Sequence, residues 1–204
     1  MFKNAYEVCV IIQKLWRGFS TRKSLMKLTD AMDKPIMNEL LYMYIQNFEK
    51  TKEINKRLSK KKCRNENFPS HISETICKLA IAKKYRVMPC WDTQHGDLIV
   101  LNKQLEVKGF MSDGPASFGP TENWDYIYFV DAKDFMNKKF KVFEIRLSNK
   151  HPIWRSVQLN KKETYGMIAD ANKRGQLRGC FYKVFKPQLE SYCKLIFDGY
   201  LDDL

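Results

Sequence analysis

Apolar residues recur at Val8, Ile11, Ile12, Leu15, Trp16 and Phe19, at intervals of three and four, which predicts an amphipathic helix. Lys14, Arg17, Arg22 and Lys23 leave the rest of that surface basic. A second apolar stretch over 36–48 predicts another helix, with Asp33 as cap and Pro35 in the first turn. From residue 67 the texture changes. Pro69-Ser70-His71-Ile72-Ser73 opens a helix running to Lys84, with Ser70 or Ser73 as cap. Short strand-like runs then follow at 87–88, 97–101, 105–110, 126–130 and 140–147, separated by loops rich in Gly, Pro, Asn and Asp. Residues 158–174 regain helical character, and runs at 180–185 and 195–201 close the chain. The pattern divides the protein into a helical, basic arm (1–66) and an α+β core (67–204).

Composition narrows the partners. The 204 residues carry 36 Lys and Arg against 23 Asp and Glu, a net charge of +13. Such a surplus points to a polyanion, nucleic acid first. Hydrophobic residues at 44% suffice for a packed core and exclude wholesale disorder. In the run 50–64 eight of fifteen residues are basic and one is acidic, so it reads as a linker, a solvated helix face or a nucleic-acid arm. No apolar run approaches the roughly 18 residues that a bilayer span requires. The start has no apolar segment followed by a small-residue cleavage site, and the six cysteines form no C-x-x-C pair. These features predict an intracellular, non-secreted protein with reduced thiols and no membrane association.

The candidate chemistry lies in Gly96-Asp97-Leu-Ile-Val-Leu-Asn-Lys-Gln-Leu-Glu106-Val-Lys108-Gly109. Two short apolar strands joined by Asn102-Lys103-Gln104 read as a hairpin. Period-2 alternation puts Glu106 and Lys108 on one face and Leu105 and Val107 on the other. Asp97 begins the first strand and lies across from the later part of the second, so two carboxylates and an ammonium converge. That trio suits metal-assisted phosphodiester hydrolysis. Asp97 and Glu106 supply hard oxygen ligands for Mg²⁺, which needs only one or two protein carboxylates and for which Mn²⁺ would substitute. Lys108 would orient or deprotonate the attacking water and stabilise the transition state.

Gly96-Asp97 followed by Glu106-Val107-Lys108 resembles the motif of the PD-(D/E)XK nuclease superfamily, which includes many type II restriction endonucleases. The likeness spans roughly residues 67–190 and takes in a Gly/Pro-rich loop, 112–125, before a core strand. Gly96 stands where the superfamily has proline before the first acid. The resemblance implies an α/β/α sandwich-like core with a central mixed β-sheet, and Mg²⁺-dependent, site-specific cleavage of double-stranded DNA by a homodimer. It also implies an auxiliary catalytic acid from a helix beside the site, for which Glu74 is the candidate.

The segment 151–178 is dense in groups that suit phosphates and base edges: Trp154, Arg155, Gln158, Asn160, Lys161, Lys162, Lys173, Arg174, Gln176 and Arg178. His95 and His151 read as loop and turn residues, and Trp124 as a loop anchor. At the N-terminus Ile12, Gln13, Arg17, Gly18 and Arg22 match the IQ motif at every specified position. In proteins carrying that motif a basic amphipathic helix is clasped by calmodulin or a related protein, here over residues 8–23. Two other readings of the chain stay open: a structure-specific or repair nuclease, and a non-catalytic calmodulin- or DNA-binding adaptor.

Overall fold

The structure, a computed structural model, describes residues 22–57, 67–92, 97–113, 115–118, 122–171 and 177–204. The chain divides into two compact units, residues 1–65 and 66–204. In the first, one helix, α1 (Arg22–Arg57), runs straight through Pro35. The helix expected to start at Asp33 is thus the middle of a longer one. Proline removes a single backbone donor, and helix-forming residues on both sides propagate the ladder past it. Met37, Leu41 and Tyr44, spaced four and three apart, are buried. Lys52, Glu53, Lys56 and Arg57 are exposed, so the described part of the basic run is a solvated helix face. There Arg57 pairs with Glu53 one turn back. Ile12, Gln13, Arg17 and most of the IQ-like match lie outside the described residues, and Arg22 is the first residue of α1.

The second unit is α+β. Helix α2 (Ser70–Tyr85) is entered from Pro69, whose extended backbone (φ −62°, ψ 131°) serves as the N-cap position. Neither serine caps the helix: the Ser73 hydroxyl donates to the Ser70 carbonyl at 2.8 Å. Arg86, at φ 59°, ends it in the left-handed conformation, and its amide donates to the Ala82 carbonyl.

Among the described residues eight strands follow: β1 (Cys90–Trp91), β2 (Leu98–Val100), β3 (Lys103–Phe110), β4 (Pro115–Phe118), β5 (Tyr126–Asp134), β6 (Lys139–Ile145), β7 (Leu177–Cys180) and β8 (Cys193–Tyr200). Six form a mixed sheet in the order β1-β2-β3-β5-β6-β8, and β4 pairs with β7 in a small second sheet. Only β3 and β5 run parallel within the six. The first strand sits at 90–91 rather than 87–88, because it pairs with Leu98 and Ile99. The expected helix over 158–174 shrinks to α4 (Tyr165–Asp170), capped by the Thr164 side chain. Ahead of it Asn160 builds a turn by accepting the amides of Lys162 and Glu163. A short helix, α3 (Ile153–Ser156), precedes that turn.

The two faces of the sheet are covered differently. Ile127, Phe129, Phe143 and Ile145 meet Trp154, Tyr165, Phe181 and Phe185 in one apolar cluster. The alternate residues Tyr128 and Glu144 face α2, where Tyr85 and Tyr128 both donate to the buried Glu144 carboxylate at 2.6 and 2.7 Å. Helical material on both sides of a mixed sheet is the sandwich the resemblance implied. Trp154 is fully buried in that core, edge-on to Trp124 at 5.5 Å, so it reads no DNA and its place among the DNA-facing residues is corrected. Trp124 does anchor its loop.

Candidate active site

The hairpin carries the site. Its turn is two residues, Leu101 and Asn102, at φ 47° and 60°, not the expected three-residue Asn102–Gln104 turn. Two consecutive left-handed residues match the twist of the strands they join, and Asn tolerates that conformation well. The register then sets Leu98 against Leu105 and Val100 against Lys103. One step beyond, the Asp97 amide donates to the Leu105 carbonyl at 3.2 Å, and the Val107 amide donates to Asp97 Oδ2 at 2.7 Å. Asp97 is therefore fastened, through its side chain, between Glu106 and Lys108.

Glu106 and Lys108 alternate with Val107 and Gly109 along β3, and the Lys108 ammonium is ion-paired to Glu106 Oε1. Glu106 is buried at 7% exposure. Gly109 brings the helix in. A Cβ there would stand 2.7 Å from Ser73 Cβ and 2.8 Å from its hydroxyl, so only glycine permits this approach of α2 to β3. Ser73 immediately precedes Glu74, and that contact delivers the third acid.

The charged groups of the site act on one another. Burial, then the charge of Asp97, pushes the Glu106 carboxyl up to about 7. Burial and Asp97 likewise push Glu74 to about 7, with Ser70 and Lys108 pulling it back. Burial raises Asp97, against the Val107 amide and Lys108. Burial opposes the Lys108 charge, but Glu106 outweighs it and holds the ammonium above its ordinary value. Asp97, Glu106, Lys108 and Glu74 therefore share one field.

Glu122 joins them, and sequence reasoning missed it. It lies in the loop before β5, and its charge acts on Asp97, Glu106 and Lys108 alike. Its Oε2 is buried and makes no hydrogen bond. The loop is clamped to β3: Gln104 and Asp125 exchange hydrogen bonds at 2.8 and 3.0 Å, and Asn149 Nδ2 donates to the Glu122 carbonyl. An acid just before Trp124-Asp125 was the available signal, and nothing in its spacing singled it out.

These oxygens fit a small hard cation. An orphaned buried carboxylate oxygen and acids that mutually resist ionisation are what such an ion would relieve. Among the described residues no three His, Cys, Asp or Glu side chains stand close enough to form a ready-made cage.

The residues expected to face DNA lie apart from this cluster in sequence and are mostly exposed. Lys161, Lys162 and Arg178 are exposed. Arg155 is exposed and paired with Asp170. The Gln158 side-chain amide donates within its own turn, to the Asn160 carbonyl. Lys173, Arg174, Gln176 and His95 lie outside the described residues. His151 is a turn residue, its Nδ1 accepting the Ile153 amide at 3.3 Å. No helix among the described residues is long and apolar enough to cross a membrane.

Compared with known protein families, residues 36–178 match the Bsp6I restriction endonuclease family. No curated protein and no solved structure matches the chain.

Proposed function

Because the chain belongs to the Bsp6I restriction endonuclease family and is a deoxyribonuclease, we propose that it cuts double-stranded DNA at a specific sequence, with a divalent metal at Asp97 and Glu106. The observation that carries this reading is the hydrogen bond from the Val107 amide to Asp97, which locks the two acids and Lys108 into one unit. A bound Mg²⁺ would polarise the scissile phosphate and lower the pKa of a coordinated water. The chain's own residues do the rest. Asp97 is held by the backbone, so its free oxygen needs no reorganisation to take a ligand. Lys108 directs a charged donor at the attacking water or the phosphate oxygens. Glu74, pushed to about 7, can hold or release a proton near neutrality.

Arg155, Gln158, Lys161, Lys162, Lys173, Arg174 and Arg178 are assigned to contacts with the duplex, chiefly at phosphates. A duplex has two strands to cut, and a homodimer would bring one site to each. Light scattering of the full chain should give twice the 204-residue mass. Residues 8–23 are assigned to a calmodulin-like partner on the five matched IQ positions, and calorimetric titration with calmodulin giving no heat would retire that assignment.

The test of the main reading is digestion of a long duplex with Mg²⁺ or Mn²⁺, run against EDTA. Discrete fragments in the metal lanes alone support it. Cutting confined to branched or damaged DNA would replace it with a repair nuclease. Absence of cutting with either metal would leave a binding adaptor.

A further inference from the structure

The sheet face that carries the aromatic cluster also holds a cavity of about 250 Å³, lined by Lys141, Phe143, Tyr182, Lys186, Cys193 and Leu195. Glu190, which is exposed, completes the lining. The cavity is separate from the acids of the candidate active site. The pairing register runs Lys108, Phe129, Phe143, Leu195 across four strands, so Phe143 stands two strands, about 10 Å, from Lys108. Phe181 is stacked on Phe129 at 4.6 Å and packs on Phe143 at 4.8 Å.

Two ammonium groups line this cavity, and they differ in what they hold. Lys141 is paired with Asp198 at 3.0 Å. Lys186 lies over the Phe143 ring at 5.3 Å and the Tyr182 ring at 5.5 Å. Lys133 shares the Tyr182 ring at 4.4 Å, but it is ion-paired with Asp113. Lys186 has no ion-paired carboxylate among the described residues. The platform beneath it is fixed, because the Tyr182 hydroxyl donates to the buried Asp131 at 2.6 Å. Burial pushes the Cys193 thiol up to about 11, so it lines the cavity as a neutral group. Ring faces hold an ammonium less strongly than an anion does, so Lys186 keeps charge to give. Phe143 and Leu195 add an apolar wall beside it. A bare inorganic anion would leave that wall wet, whereas an anion with a flat or apolar body would use both.

We propose that this cavity binds a nucleotide by its terminal phosphate, with Lys186 and Lys141 taking the phosphate and the Phe143–Leu195 wall taking the nucleoside. The phosphate gives Lys186 the counter-charge that the protein withholds. Glu190 stands as an acceptor for a sugar hydroxyl or a base amino group. The inference does not use the metal site proposed above and fails or holds apart from it.

The test is titration calorimetry of the full chain in EDTA, with 5′-deoxyadenylate, deoxyadenosine and inorganic phosphate as probes. Deoxyadenylate should bind one to one, and more tightly than either of its halves. Lys186→Met keeps the stem and removes the charge, and it should weaken deoxyadenylate at least about tenfold. Lys186→Arg should recover most of that loss. Lys183→Met removes an exposed lysine of the same segment that does not line the cavity, and it should change nothing. Absence of deoxyadenylate binding would overturn the proposal. So would an unchanged affinity in Lys186→Met, an equal loss in Lys183→Met, or inorganic phosphate binding as tightly as the nucleotide. Competition then separates the sources of the phosphate. An oligonucleotide that displaces deoxyadenylate only when it is 5′-phosphorylated identifies a strand end, and no displacement in either form identifies the free nucleotide; both results support the site. Equal displacement by both forms would make it a backbone contact and overturn the proposal.

Discussion

The Val107 amide donates to Asp97 Oδ2 at 2.7 Å, tying the first acid of the site to the residue between the second acid and the lysine. Asparagine can accept the same hydrogen bond through its side-chain oxygen but carries no charge. Asp97→Asn should therefore keep the metal-free melting temperature within a few degrees of wild type. The further rise that Mg²⁺ or Ca²⁺ gives the wild type should vanish. Thermal unfolding with and without the ion checks both halves.

Gly109 is where α2 meets β3, and the helix must move if it gains a side chain. Gly109→Ala should cost about 1–3 kcal/mol, the usual penalty of overpacking. It should also lower cleavage more than DNA binding, because Glu74 rides on the displaced helix. Urea denaturation paired with a gel-shift titration separates the two effects.

The raised carboxyls have a signed consequence. Glu74 and Glu106 sit near 7 in the folded protein against an ordinary value of 4.5. The folded state thus binds more protons than the unfolded one over that interval. Their contribution to stability is present below it and is lost as pH rises through it. In EDTA, the melting temperature should fall from about pH 5 to about pH 8, and Glu106→Gln should flatten the fall. Cleavage should move the opposite way, rising toward pH 8 as the carboxylates ionise and can take a metal.

Lys161, Lys162 and Arg178 are exposed, whereas Arg155 already pairs with Asp170 at the surface. Each phosphate contact removed should lower the slope of log affinity against log salt by about one. Lys161→Ala, Lys162→Ala and Arg178→Ala should each do so on any duplex sequence. Fluorescence anisotropy across a salt series measures it.

Much of the site was legible because its geometry is local. Strand alternation alone sets Glu106 beside Lys108, and a hairpin of that length returns the chain to Asp97. The turn was misplaced because leucine seldom adopts φ 47°, so Leu101 reads as strand. Trp154 was misassigned because a basic, polar stretch hides one aromatic that belongs to the core. Pro35 reads as a start signal, but a 36-residue helix has enough neighbouring turns to absorb one missing hydrogen bond. Glu122 was illegible for a different reason: its position depends on the loop's clamps to Gln104 and Asn149, which no periodicity encodes.

The account stands on Asp97, Glu106 and Lys108 acting as one metal-dependent cutting unit. Single-turnover cleavage of a duplex by wild type, Glu106→Gln and Lys108→Ala, each with saturating Mg²⁺, tests it most directly. Both variants should bind the duplex and cut it at least about a hundredfold more slowly than wild type. Wild-type rates in either one would contradict the assignment.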